Sequence, residues 1–107
     1  MKSPLLVDVL PDFALELQSL LVGEGEDSLA QSVPRLSIVD RCRCGDDFCS
    51  TFYTAPRPSG AYGPGLRNLD LPAREGMLIL DVVDDEISGI EVLYRPEIQL
   101  VVHGLLP

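Results

Sequence analysis

The sequence lacks the residues and motifs on which the common enzyme classes depend. His103 is its single histidine, and none of the serines lies near it along the chain. A Gly-x-Ser-x-Gly nucleophile motif, a phosphate-binding loop, a dinucleotide-binding Gly-x-Gly-x-x-Gly motif and a histidine-rich metal cluster are all absent. These absences argue against an enzyme, and we assign no catalytic residue.

The chain also lacks long apolar segments. Its apolar runs, such as residues 100–102, are far shorter than the roughly 20 residues that cross a bilayer. The apolar residues at the N-terminus are interrupted by Pro4, Asp8 and Pro11, and no small-residue cleavage site follows, so they do not read as a secretory signal. We therefore expect a cytoplasmic protein with no membrane partner.

Basic residues are scarce. The chain has eight lysines and arginines and seventeen aspartates and glutamates, which gives a net charge of −9. This charge repels phosphate backbones, so we expect no nucleic-acid partner. However, residues 35–74 hold six arginines and only four acidic residues, all of them aspartates. A local anion-binding patch is one interpretation of this segment, and solvated surface charge is the other.

What is present favours an α+β fold. A chain of 107 residues with 46% hydrophobic content suffices for one globular domain, which we place at residues 1–107. Residues 11–22 predict an amphipathic helix, with a proline at its first position and a glycine after its end. Residues 26–32 predict a short helical turn that Pro34 stops. The expected core stripe of the longer helix is Phe13, Leu17, Leu20 and Leu21.

From residue 36 onward the pattern changes to strands. Residues 36–44 and 47–54 are rich in β-branched and aromatic residues and predict one β-hairpin. Residues 77–83 and 87–94 predict a second β-hairpin around an acidic turn, with its first strand in a central position of the sheet. We therefore expect the N-terminal helix to pack on an antiparallel sheet of two β-hairpins.

A long connection and the C-terminus complete the chain. Residues 56–74 are rich in proline and glycine and predict a long loop, a kind of segment that often serves as a functional lid or a mobile linker. Residues 98–102 are β-branched enough for a further C-terminal strand, which we favour, although Pro96 and Glu97 would also open a helix. The long loop carries three candidate ligand-binding residues, for which a plain surface role is the alternative: Arg57, Arg67 and Arg74.

The second hairpin resembles a known family. Residues 78–93 read Leu-Ile-Leu-Asp-Val-Val-Asp-Asp-Glu-Ile-Ser-Gly-Ile-Glu-Val-Leu. This order of aliphatic residues, acidic turn and Ile-x-Gly-Ile-Glu is similar to the hairpin of a family of small bacterial proteins, a domain family of unknown function. The resemblance covers residues 78–93 only, and it implies a hairpin and a bacterial origin but no activity. From the residues themselves, we expect a β-bulge or a close backbone approach at Gly89, and edge or solvent-facing positions for Asp81 and Glu91.

All three cysteines lie in residues 40–49, which read Asp-Arg-Cys-Arg-Cys-Gly-Asp-Asp-Phe-Cys. An odd number of cysteines argues against a disulfide framework and fits reduced thiols. Gly45 and Asp46 predict a two-residue hairpin turn, because glycine supplies the positive φ that the turn requires. In that register Cys42 lies directly opposite Cys49, and the alternation of side chains puts all three thiols on one face of the hairpin.

Three interpretations of the thiols follow. In the first, they bind zinc, with Asp47 or His103 as the fourth ligand. In the second, the two facing cysteines form a redox pair, although Arg41 and Arg43, which would lower a thiol pKa, are expected on the opposite face. In the third, which we favour, they pack as small apolar residues. The candidate metal ligands are Cys42, Cys44 and Cys49.

We therefore predict a cytoplasmic bacterial α+β domain without enzymatic activity, which acts by contact with a protein partner and needs no cofactor. Formation of a homo-oligomer is an open alternative for that contact. The second hypothesis is a metal-binding or thiol-redox module at the cysteine hairpin, with zinc as its cofactor.

Overall fold

The structure is a computed structural model that describes residues 3–57 and 62–107. Within these residues, helices cover one face of a five-stranded antiparallel sheet, which confirms the predicted α+β class. The helices are α1 (Leu6–Val9), α2 (Pro11–Gly23), α3 (Asp27–Ser32) and α4 (Pro96–Leu105), and a 3-10 turn at Val33–Arg35 follows α3. The strands are β1 (Asp40–Arg41), β2 (Phe52–Tyr53), β3 (Leu66–Leu71), β4 (Met77–Val83) and β5 (Glu86–Leu93), in the spatial order β1-β2-β5-β4-β3.

The two predicted N-terminal helical segments are confirmed. The longer one, α2, begins at Pro11, whose missing amide is no loss in the first turn, and it ends at Gly23. Three of the four stripe residues are buried and Leu20 is half-buried, as expected for one apolar side of a surface helix. The buried residues of α2 are Phe13, Ala14, Leu17 and Leu21.

The second predicted hairpin is formed by β4 and β5. Asp84 and Asp85 connect the strands with φ angles of 50° and 64°, the left-handed conformation that a two-residue type I′ turn requires and that aspartate tolerates. β4 lies between β5 and β3 and is an interior strand, but the middle strand is β5, and the alternating burial of β4 shows that one of its faces is covered rather than both. At Gly89 the expected close approach is present: a Cβ there would lie 2.9 Å from Asp81 Oδ2 and 3.2 Å from the Tyr53 ring.

The hydrophobic core lies between the helices and the inner face of the sheet. One continuous cluster contains buried residues from all four helices and from strands β2 to β5. The ring of Phe13 in α2 packs edge-on against Phe52 of β2, with 6.2 Å between the ring centroids. The sheet residues that are at most 1% exposed are Phe52, Leu78, Leu80, Val82, Ile90 and Val92.

The prediction of a loop over residues 56–74 was wrong for residues 66–71, which form the edge strand β3. Its pairing with β4 puts Leu69 opposite Leu80 and Leu71 opposite Leu78, so both leucines face the core. The alternation of leucines with polar residues is a strand pattern, but prolines and glycines on both sides of this short segment obscure it. Residues 58–61 of the predicted loop lie outside the described residues.

The prediction of a C-terminal strand over residues 98–102 was also wrong, because this segment belongs to helix α4. Pro96 occupies its first turn together with Glu97, where a carboxylate is favourable at the positive end of the helix dipole. The buried residues of α4, Ile98 and Val102, are four positions apart, which is helical rather than strand spacing. Neither α4 nor any other helix in the described part of the chain is long and apolar enough to cross a membrane.

Arg95 joins three parts of this fold. Its side chain is only 10% exposed, and its guanidinium donates two hydrogen bonds to Glu16 of α2, at 2.8 and 3.0 Å. It donates another to Glu97 in the first turn of α4, at 2.7 Å. Its carbonyl accepts the hydroxyl of Ser50, the residue next to the third cysteine, at 3.1 Å. Arg95 therefore sets the start of α4 relative to α2 and to the cysteine-bearing segment.

We expect Arg95→Met to lower the free energy of unfolding by about 2 kcal/mol, because it leaves the partly buried Glu16 carboxylate without its partner. Arg67→Met is the matched control, since Arg67 makes an equally bidentate pair with Glu26 on an exposed surface. For Arg67→Met, the free energy of unfolding should fall by no more than about 0.5 kcal/mol. Urea denaturation of both variants measures the difference, and equal losses would contradict the role given to Arg95.

Candidate metal centre

The cysteines lie at the tip of the first hairpin, whose paired part is shorter than predicted. Asp40 and Arg41 of β1 pair with Tyr53 and Phe52 of β2. One further bond, from the Cys42 amide to the carbonyl of residue 51 at 2.9 Å, extends this ladder. Beyond it the chain leaves the sheet and forms an exposed loop, which we call the cysteine loop (residues 42–49).

The predicted register of this hairpin was wrong by two residues. Cys42 lies opposite Thr51, not opposite Cys49, and the turn is formed by residues 46–49, where the Cys49 amide donates to the Asp46 carbonyl at 3.2 Å. The register differs from the prediction because the segment after the turn contacts β5 as well as β1. Cys49 bridges Leu93, at the end of β5, and so the position of residues 49–53 is set by β5 as well as by β1.

The predicted convergence of the three thiols is confirmed despite the register. For Cys42 and Cys49, which border the paired segments, a shift by two residues keeps the side chain on its original face, whereas a shift by one would have reversed it. Cys44 lies outside the ladder and reaches the other two through the path of the loop. Cys49 is buried, Cys42 is half-buried and Cys44 is exposed, and all three are free thiols. Their sulfur atoms all lie within 4.8 Å of one another.

The thiols open into a surface cleft of about 750 Å³ between the cysteine loop and α4. Gln99 of α4 spans the cleft, since its side-chain amide donates to the carbonyls of Asp47 at 2.8 Å and Cys49 at 3.1 Å. His103, one helical turn further along α4, lines the same cleft. The residues lining the cleft are completed by Arg41, Arg43, Gly45, Asp46, Asp47 and Pro107.

Arg41 and Arg43 line the same cleft as the thiols, but their guanidinium groups bind other partners. Arg43 lies in the loop, outside the ladder that would have alternated the side chains, and it pairs with Asp40 at 2.6 Å. The guanidinium of Arg41 reaches the carbonyl of Cys42 at 3.0 Å and also donates to the carbonyl of Leu106, just after α4. Arg41 therefore links the hairpin to the C-terminal end of α4.

The surroundings of the thiols shift the pKa values of Cys49 and Cys44 in opposite directions. Burial opposes its ionisation, but hydrogen bonds from the hydroxyl and amide of Thr51, and from the other two thiols, lower the pKa of Cys49 below its ordinary value. At Cys44 the amide of Asp46 favours the thiolate, yet hydrogen bonds to Cys49 and Cys42 outweigh it and raise its pKa to about 11. Ionisation of both Cys44 and Cys49 at neutral pH is therefore disfavoured without a nearby cation.

His103 is held in the neutral form that coordinates metals. Burial of the ring, and then the positive charge of Arg41, lower the pKa of His103 below its usual value. The imidazole is therefore uncharged at neutral pH, with a nitrogen lone pair available to a ligand in the cleft.

The three arginines predicted as ligand-binding residues lie in separate environments. Arg57 pairs with Asp40 at 3.8 Å and covers the ring of Tyr53, 4.4 Å from its centroid. Arg67 pairs with Glu26, and Arg74 lines a different cleft, beside α2. The structure does not bring them together into one anion site.

Sequence reasoning missed Gln99 as a residue of the cleft, because it assigned the C-terminal segment to a strand. The signal was present: helical spacing places residues 99 and 103 on one side of a helix, four positions apart. Comparison of the chain with family models, with curated proteins and with solved structures finds no match. The resemblance of residues 78–93 to a bacterial family therefore stays a prediction.

We expect a trivalent arsenical that bridges two thiols, phenylarsine oxide, to bind the folded Cys44→Ser variant one to one. The two remaining thiols, at positions 42 and 49, are seven residues apart in sequence and their sulfur atoms lie within 4.8 Å of each other, so both should disappear from a thiol titration. The Cys42→Ser/Cys44→Ser double variant has one thiol and should show no such protection. Two freely titrating thiols in the arsenical-treated Cys44→Ser protein would contradict the observed convergence.

Proposed function

We propose that the protein is a metal-binding module that holds a thiophilic ion, with zinc as the best fit, through Cys42, Cys44 and Cys49. The observation that supports this is the meeting of three sulfur atoms within 4.8 Å at the wall of an open cleft. Thiolates are soft ligands, and they select zinc or copper(I) over the hard cations that carboxylates prefer.

The spacing of the sulfurs suits such an ion. Zinc–sulfur bonds of about 2.3 Å in a tetrahedron place neighbouring sulfurs about 3.8 Å apart. The observed limit of 4.8 Å requires only a small contraction of the cluster. The cysteine loop can supply it, because residues 43–47 are exposed and lie outside the ladder, whereas the carbonyl of Phe48 already accepts the amide of Tyr94 at 2.8 Å. Gly45 contributes to this shape through its φ of 83°, which lets the chain curl between the second cysteine and the turn.

Charge also favours a metal over packing alone. Three thiolates in contact carry a charge of about −3, which the hydrogen bonds of Thr51 and Asp46 do not compensate. A divalent ion leaves about −1 at the site, so binding and ionisation of the thiols support each other. The packing hypothesis explains the buried Cys49 well, but it gives no reason for the exposed Cys44 to join the cluster.

The redox hypothesis loses its original geometric basis, since Cys42 faces Thr51 and not Cys49. The prediction of a protein-interaction domain stays a prediction. It is compatible with a metal site, because a bound ion would order the cysteine loop into a fixed surface for a partner.

We expect protein purified without chelators to contain one zinc ion per chain by elemental analysis. Each of Cys42→Ser, Cys44→Ser and Cys49→Ser should weaken zinc binding by about 100-fold or more in a competition titration, because each removes a direct ligand. Asp70→Asn is the control for loose binding by the acidic surface, since Asp70 is an exposed carboxylate on the edge strand β3. Zinc content that the serine variants leave unchanged would contradict the proposal.

A further inference from the structure

We infer that His103 is the fourth ligand of the ion, so that metal binding clamps helix α4 onto the cysteine loop. This inference rests on the proposed function of the cysteine cluster. It extends the site from one local loop to two segments more than fifty positions apart in the chain.

The position of α4 supports it. The helix is tied to the hairpin at two points: Gln99 donates to the cysteine loop, and the carbonyl of Leu106 accepts the guanidinium of Arg41. His103 lies between these two points along the chain and lines the cleft into which the sulfurs open. Its side chain is half-buried, and it makes no hydrogen bond within the described residues, so no existing bond must break when it turns toward a metal.

The imidazole ring of His103 would supply the one ligand that three thiolates leave missing in a tetrahedral zinc site. Three thiolates occupy three corners of a zinc tetrahedron and leave one position that a nitrogen donor fills well. The imidazole nitrogen must come within about 3.5 Å of each sulfur, given bond lengths near 2.0 and 2.3 Å. His103 is outside the group of atoms that already lie within 4.8 Å of one another. Binding must therefore draw the ring and the exposed loop together.

Asp46 and Asp47 are the rival donors, because both line the cleft. Both residues are exposed, so a metal must displace more water from their carboxylates than from the half-buried imidazole of His103. The backbone carbonyl of Asp47 is already bound by Gln99, which holds this residue at the rim of the cleft.

Cobalt(II), which reports its ligands through visible absorption, tests the inference. The wild-type protein should show tetrahedral bands together with thiolate-to-cobalt charge transfer. His103→Gln should keep the charge transfer, change the tetrahedral bands, and weaken zinc binding by about 10- to 100-fold. His103→Cys should restore affinity and raise the charge-transfer intensity by about one third, because four thiolates replace three. Asp46→Asn and Asp47→Asn are the matched controls and should behave as wild type.

Hydrogen exchange supplies a second readout. Zinc should slow amide exchange in α4 of the wild type and should not do so in His103→Gln, while exchange in the cysteine loop slows in both. A His103→Gln protein with wild-type spectrum and affinity, or an equivalent loss on changing Asp47, would overturn the inference and leave the three-cysteine site intact. If the wild type takes up neither cobalt nor zinc, the proposed function itself fails.

Discussion

The half-buried Arg95 is the constraint on which the site depends most. Its guanidinium is fixed by the carboxylate of Glu16, and its carbonyl by the hydroxyl of Ser50. The same residue precedes Pro96, where α4 begins. The path of α4 over the cysteine loop is therefore set by a partly desolvated ion pair that is anchored in the core helix α2. Such a pair is costly to break from one side only, because the remaining charge is left without its partner.

The chemistry of the cleft follows from the close spacing of the three thiols. Three thiols whose sulfur atoms lie within 4.8 Å of one another repel one another when they ionise, and a bound cation would offset that repulsion. The buried member, Cys49, is held by the sheet, whereas Cys44 lies in an exposed loop that can adjust to an ion. A site with one fixed residue and one in an adjustable loop would suit an ion that orders the loop as it binds. Part of the free energy of binding is then used to order the chain.

Much of the fold could be predicted because its signals are local. Helix α2 has its proline, its stripe and its final glycine, and β4 and β5 flank an acidic turn that adopts positive φ. The register of the cysteine hairpin could not be predicted in the same way, because β5 also sets it and lies some forty residues away. The shared face of Cys42 and Cys49 was predictable nonetheless, since a shift of two residues preserves the face, whereas Cys44 joins them through the path of the loop. Residues 98–102 suit a strand by composition and a helix by spacing, and only burial against the core decides between them. Because that segment was assigned to a strand, Gln99 was not recognised as a residue of the cleft.

X-ray absorption at the zinc edge tests the central claim most directly, because it counts the atoms bound to the metal. For the zinc-loaded protein in solution, the account predicts a first shell dominated by three sulfur atoms at about 2.3 Å, with one lighter atom near 2.0 Å. A shell of oxygen and nitrogen atoms without sulfur would contradict it, since the ion would then be held by the acidic surface and not by the cysteine cluster.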